Sequence, residues 1–172
     1  ELYCGNGNFC IALAPNFRRC VGTELSKTGI AAAKFNLELN GVRNVKVAQA
    51  DAEGFSSAYL DQAPHKQLKK EGIELGEYDF STVLVDPPRA GLDAVTTRLV
   101  GEFDCVVYVS CNPETLLRDL EALRTSHEIR RFALFDQFPY VDHTECGALL
   151  VRRDAPLEDN AAAAAAAANG DG

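Results

Sequence analysis

Long apolar stretches are missing from this sequence. No run approaches the ~20 residues that a bilayer-crossing helix needs, and the opening of the 172-residue chain is not expected to be a secretory leader. It begins instead on ELYCGNGNF, a strand stub running straight into a glycine loop. That opening is expected to be the end of a truncated first strand, in a segment cut from something longer. Also missing are a CxxC pair and any Cys/His ligand spacing, which excludes the common zinc and iron–sulfur sites and implies no metal. Four of the six cysteines (Cys4, Cys20, Cys105 and Cys111) lie in or beside apolar runs. That placement suits reduced thiols in the cytoplasm or an organelle matrix better than a disulfide framework. Excess positive charge is lacking too. A net charge of −8 argues against a broad nucleic-acid surface on this segment alone. Basic pairs remain at Arg18-Arg19, Lys69-Lys70, Arg130-Arg131 and Arg152-Arg153, each read first as solvated surface.

What is present is an alternation of strand and helix patterns. After the ELYC stub come a short helix over FCIALAPN, a strand RCVGTEL, and a helix that Ser26 caps and Asn40-Gly41 closes. A strand VKVAQAD follows, then a helix near residues 53–61 and a polar loop containing Pro64. STVLVD is almost wholly apolar, the mark of a central parallel strand covered on both faces. The loop PPRAGLD, a short helix AVTTRLVG and the strand CVVYVS lead to a helix with Pro113 in its first turn. The strands IRRFALFDQF and ECGALLVRR close the pattern, with too little between them for a helix, so they are expected to pair antiparallel. This predicts an α/β fold: a doubly wound, mostly parallel, Rossmann-like sheet whose ligands sit at the C-terminal strand ends. The expected boundaries are one domain over 1–153 and a low-complexity, alanine-rich tail over 154–172.

Three constellations carry chemistry. In GNGN, Gly5 and Gly7 let the backbone approach a ligand, and Glu24, at the end of the next strand, can accept ribose hydroxyls. Either feature alone is commonplace; together they favour a nucleoside cofactor. A dinucleotide would want a third glycine where Cys10 stands. S-adenosyl-L-methionine (SAM) has no pyrophosphate and does not need that fit. Glu1, Gly5 and Gly7 also match the acidic-xxx-Gly-x-Gly start of SAM-dependent methyltransferases. The second constellation, VDPPRAGLD, is a stiff loop that aims Asp86 at the cleft. It is read equally well as a rigid turn or as a wall for a flat ring. The third is SCNPETL. There Cys111 ends a strand just before a helix that Asn112 caps, and the dipole of a helix N-terminus favours thiolate over thiol. Carbon 5 of uracil is too weak a nucleophile to take a methyl group from a sulfonium until a thiolate adds at carbon 6. The carbon 5 proton must then be removed by a base. Glu145 is the candidate base, with Asp142 and His143 as local rivals.

ELYCGNGNF, VGTELSKTGIAAAKFN, VDPPRAGLD, YVSCNPETL and LFDQFPYVDHTECGALL together resemble the tRNA (uracil-5-)-methyltransferases of the RNA 5-methyluridine family. The pair SCNPETL and FDQFPYVDHTECG looks like the tRNA enzymes rather than their ribosomal-RNA relatives. The resemblance implies a class I SAM-dependent methyltransferase with Cys111 as nucleophile and Glu145 as general base. It implies SAM contacts from Tyr3, Asn8, Glu24 and Asp86, with Gly5 and Gly7 shaping the loop. The implied substrate is the T-loop uridine of tRNA, flipped out of its stack and presented on the T-arm. The implied working unit is a monomer off the membrane. In the family a further SAM-contacting glutamine and an RNA-binding β-rich region precede this segment. Two other readings stand beside this one. A methyltransferase of another base or an exocyclic amine would use Asp-Pro-Pro without Cys111. A SAM- or RNA-binding module would have no turnover at all.

Overall fold

The computed structural model describes residues 1–137, 140 and 144–154. Among the described residues six strands form: β1 (Cys20–Glu24), β2 (Val45–Gln49), β3 (Thr82–Val85), β4 (Cys105–Ser110), β5 (His127–Phe135) and β6 (Glu145–Arg152). Six helices connect them: α1 (Asn8–Leu13), α2 (Lys27–Leu39), α3 (Ala52–Leu60), α4 (Lys66–Lys70), α5 (Ala94–Val100) and α6 (Pro113–Leu123). β1 pairs parallel with β2, and β3 with β4. Leu2 joins the two halves by single parallel bridges to Thr23 and Val85, so the order reads β2-β1-Leu2-β3-β4-β6-β5. β6 runs antiparallel between β4 and β5.

The ELYC stub sits in the sheet as expected: Leu2 bridges both halves, and the Cys4 N–H still donates to the Thr23 carbonyl at 2.9 Å, with Tyr3 between them at φ +60°. Two buried clusters lie on opposite faces. Val21, Val83, Val85, Val106 and Tyr108 pack with Phe55 of α3, Leu99 of α5 and Leu116 of α6. Cys10 of α1 and Ile30, Ala33 and Leu37 of α2 pack with Val45 and Val47. Helices on both faces are the doubly wound arrangement expected from the alternation. β3 is buried at Val83, Leu84 and Val85, as its unbroken apolar run required.

The helix boundaries follow their caps. Ser26 Oγ accepts from the Gly29 N–H at 3.2 Å, and Gly41 closes α2 at φ +66°. Asn112 Oδ1 accepts from the Glu114 N–H at 3.1 Å, with Pro113 in the first turn of α6. The polar segment after Pro64, expected as loop, holds the short helix α4 instead. Its buried Leu68, with Ile73 just beyond, anchors it to the larger cluster, which the surrounding charges concealed.

Helix α1 lies close against β1. A third glycine in the loop would have allowed this; here the strand does. A Cβ on Gly22 would stand 2.8 Å from Cys10 Sγ and 3.2 Å from Cys4 Sγ. The helix keeps its side chain and the strand gives up its own.

Candidate active site

β1, β3 and β4 run parallel, so their C-terminal ends share one edge of the sheet. Glu24 ends β1, Asp86 follows β3, and Cys111 follows β4. β6 runs the other way and starts at this edge with Glu145. The last pair between β4 and β6 is Ser110 with Cys146, so Cys111 and Glu145 come one step beyond it on adjacent strands. Ser110 and Cys146 are both buried in the core. Side chains alternate along a strand, which turns Cys111 and Glu145 to the opposite face from that pair. Both are half-buried. The structure therefore brings together, on one edge, four residues drawn from four separate parts of the sequence. Asp142 and His143 lie outside the described residues.

The glycine loop is built on left-handed backbone: Tyr3 at φ +60°, Gly5 at +54° and Gly7 at +84°. Only Tyr3 is unusual there for its residue type, and such outliers gather at ligand sites. Gly7 is doubly required, because a Cβ would also lie 3.3 Å from Ala33 Cβ. Gly5 faces open space, with no atom within 4 Å of where its Cβ would stand. Asn8 is exposed at the first position of α1. Glu24 is tied to the loop directly. Its carboxylate accepts from the Gly5 N–H at 3.1 Å and from the Ser26 N–H at 2.8 Å. Two carboxylate oxygens offer about four lone-pair sites, so two bonds fix the group and leave it able to accept more.

Asp86 is half-buried, with Pro87 buried behind it and Pro88 exposed. Burial, and after it the neighbouring Glu145 carboxylate, pushes the Asp86 carboxyl above its ordinary 3.8. A raised carboxyl keeps its proton to higher pH in the folded chain than in the unfolded one. Folded-state stability is therefore lost as pH rises from 3.8 through the raised value. Asp86→Asn removes that loss. The variant should melt above the parent at neutral pH, and the gap should close as pH falls toward 3.8; melting curves across that range measure it.

All six cysteines are free thiols. The Cys10 thiol is pushed up first by its hydrogen bond with Cys4 and then by burial. Burial raises those of Cys20 and Cys105, and burial followed by the Glu145 charge raises that of Cys146. All four favour the protonated thiol. Cys111 is half-buried at the strand-end edge, directly before α6, whereas Cys4 and Cys10, which flank the glycine loop, are buried.

A largely apolar cavity of about 360 Å³ lies at the other edge, near the starts of β1, β3 and β4. Phe9, Phe17, Phe55, Phe80 and Phe103 line it, and none of the predicted site residues does. Convergence of polar groups, which marks a chemical site, is at the strand-end edge instead.

The sequence profile of the tRNA (Uracil-5-)-methyltransferase family matches residues 1–153. The chain belongs to the tRNA (uracil-5-)-methyltransferase family. It is 50% identical over 153 residues to the tRNA/tmRNA (uracil-C(5))-methyltransferase of Neisseria meningitidis serogroup C, covering 89% of this chain and 42% of that protein. To the Teredinibacter turnerae protein of the same name it is 51% identical over 153 residues, covering 89% and 42%. The chain thus spans less than half the length of these curated relatives. Among solved structures, it resembles the Pyrococcus abyssi tRNA (uracil-54, C5)-methyltransferase in complex with S-adenosyl-L-homocysteine, with TM-score 0.66 and 32% identity over 88% of this chain and 33% of that one. An rRNA methylase from Streptococcus thermophilus aligns at TM-score 0.60 and 9% identity, covering 87% and 82%, and shows the fold alone.

Two further residues shape the site, neither of them singled out from the sequence. A Cβ on Gly29 would stand 2.9 Å from Glu24 Cγ and 3.2 Å from the Gly5 carbonyl, so this glycine lets the acid and the loop meet. Asp119 is buried at 3% exposure. A signal for it exists: it occupies an apolar position, three residues after Leu116 and four before Leu123 on the inward stripe of α6.

Proposed function

We propose that this chain is the catalytic domain of an enzyme that methylates carbon 5 of the T-loop uridine of tRNA, using SAM. The observation that carries the reading is the placement of Cys111 and Glu145 side by side at the sheet edge that also holds Asp86 and Glu24.

The residues present fit the cofactor. Gly5 leaves open space beside the loop, Glu24 is fixed with acceptor capacity to spare, and the carboxylates suit a cationic ligand. Tyr3, Asn8, Glu24 and Asp86 would hold SAM, with Gly5 and Gly7 giving the backbone its approach. SAM supplies an electrophilic methyl group on sulfur, with S-adenosyl-L-homocysteine as the leaving product. Asp86→Asn, expected to stabilise the fold at neutral pH, should weaken SAM binding.

Cys111 thiolate adds to carbon 6 of uracil, and the ring's electron pair moves to an enolate across carbons 5 and 4. Carbon 5 takes the methyl group and now carries both methyl and hydrogen. Glu145 removes that hydrogen as a proton. The electron pair left behind re-forms the carbon 5–carbon 6 double bond and expels the Cys111 thiolate. The thiol and the base must therefore act on neighbouring ring carbons, which adjacent positions on adjacent strands allow. The target base must leave its stack to reach them.

A second reading is favoured by one observation. The Asp-Pro-Pro loop at the end of β3 also suits an exocyclic amine, which needs no thiol. Methyl transfer from labelled SAM to unmodified tRNA by the full-length protein separates the two. One methyl group per tRNA is expected, as 5-methyluridine in the T-loop, and none when that uridine is changed to cytidine. Incorporation that survives the change contradicts the proposal.

A further inference from the structure

One stripe of α6 clamps the Asp-Pro-Pro loop. Asn112 Nδ2 donates to the Arg89 carbonyl at 2.9 Å, and the Thr115 hydroxyl reaches the same oxygen at 3.2 Å. Arg118 Nη2 donates to the carbonyls of Ala90 and Leu92, each at 3.0 Å. Asp119 Oδ2 accepts from the Leu92 N–H at 2.8 Å and from the Tyr108 hydroxyl at 2.6 Å. Its other oxygen accepts from Arg118 Nε at 2.8 Å. Residues 112, 115 and 119 are spaced three and four apart, the spacing of one helix face. Gly91, at φ +74°, lets the loop lie against this face. A Cβ there would stand 2.6 Å from both Arg118 and Asp119.

Stability does not explain the acid. A buried ion pair is weak evidence for stability, since an apolar side chain of similar size often does as well or better. Asp119 has leucines before and after it on the inward stripe, and its neighbour Tyr108 is fully buried. What the carboxylate adds is direction. It ties three things together: β4, which leads into Cys111; α6, which starts beside Cys111; and the loop that starts at Asp86.

We propose that Asp119, acting through Arg118 and Tyr108, is a positioning residue that sets the Asp-Pro-Pro loop relative to Cys111 and so the attack geometry on the uracil ring. This rests on the reaction assigned above. Asparagine at 119 cannot reproduce all of these bonds at once. Its amide has one NH2, which must face either Arg118 or the Tyr108 and Leu92 donors, and both are donors already.

The test uses the full-length protein, SAM and a T-arm RNA carrying 5-fluorouridine, which halts the reaction as a covalent adduct. Adduct formation is timed in single turnover at saturating RNA for the parent, Asp119→Asn and Arg118→Ala. SAM affinity and the folded fraction are measured in parallel. The Arg118 side chain is 55% exposed, so its removal should leave the fold intact even if Asp119→Asn does not fold. The expected result is SAM binding within about twofold of the parent and adduct formation slowed about tenfold or more, as small misplacements of reacting groups produce. Unchanged single-turnover rates in folded variants, with or without a lower melting temperature, overturn the positioning role alone. A parent protein that binds both ligands and forms no adduct on Cys111 overturns the reaction, and this role with it.

Discussion

Cys111→Ala is expected to abolish methyl transfer to tRNA, lowering turnover by about 10⁴-fold or more. The same variant should bind SAM with parent affinity and melt at nearly the parent temperature. The side chain is half-buried at the end of β4, outside both core clusters. The other thiols cannot take over. Cys146 faces the core at 0% exposure, and Cys4 and Cys10 are buried between α1 and β1. Single-turnover methylation with saturating SAM and RNA measures the effect. Retained turnover would sink the covalent route and favour transfer to an exocyclic amine, where no thiol is needed. Lost SAM binding would mean that Cys111 belongs to the cofactor site instead.

Glu145→Gln should act at a different step. Thiolate addition and methyl transfer do not require the base; removal of the carbon 5 proton does. Turnover should fall by about 10²- to 10⁴-fold, the usual share of a positioned base. Unlike the cysteine variant, this one should accumulate a covalent protein–RNA species with ordinary uridine, carrying the methyl group. Denaturing gel mobility and intact mass read it directly. Slow turnover with no covalent species would place Glu145 before methyl transfer, or outside the chemistry altogether. A double variant should form no adduct, because the cysteine acts first.

Much of this arrangement was legible in the sequence because the fold places chemistry where strands end. CVVYVS and STVLVD are apolar runs that stop abruptly at Cys111 and Asp86, and such stops mark the C-terminal edge of a parallel sheet. Ser26, Asn112 and Pro113 announced helix starts through local capping chemistry, which needs only neighbouring residues. Four features were not legible. The insertion of β6 between β4 and β5 is a long-range choice that no local pattern records. The turn from Leu2 into the glycine loop runs through Tyr3, a residue type that ordinarily avoids φ +60°. The tight packing of α1 is supplied by Gly22, on the strand rather than in the glycine loop. Asp119 stands in a helix whose charged residues otherwise face outward. Only its place in the apolar stripe distinguishes it, and only the structure shows the Leu92 amide and Tyr108 hydroxyl that it meets.

The central claim is that Cys111 adds to the target uracil of tRNA before the methyl group arrives. It is tested most directly by mapping the covalent adduct formed by the full-length protein with SAM and a T-arm RNA carrying 5-fluorouridine at the target position. Fluorine cannot leave as a cation, so the reaction should stop after methyl transfer with protein and RNA still joined. The expected product is a one-to-one complex whose mass includes the added methyl group and whose RNA-bearing peptide contains Cys111. An adduct on any other residue, or none when SAM and RNA are both shown to bind, would contradict it.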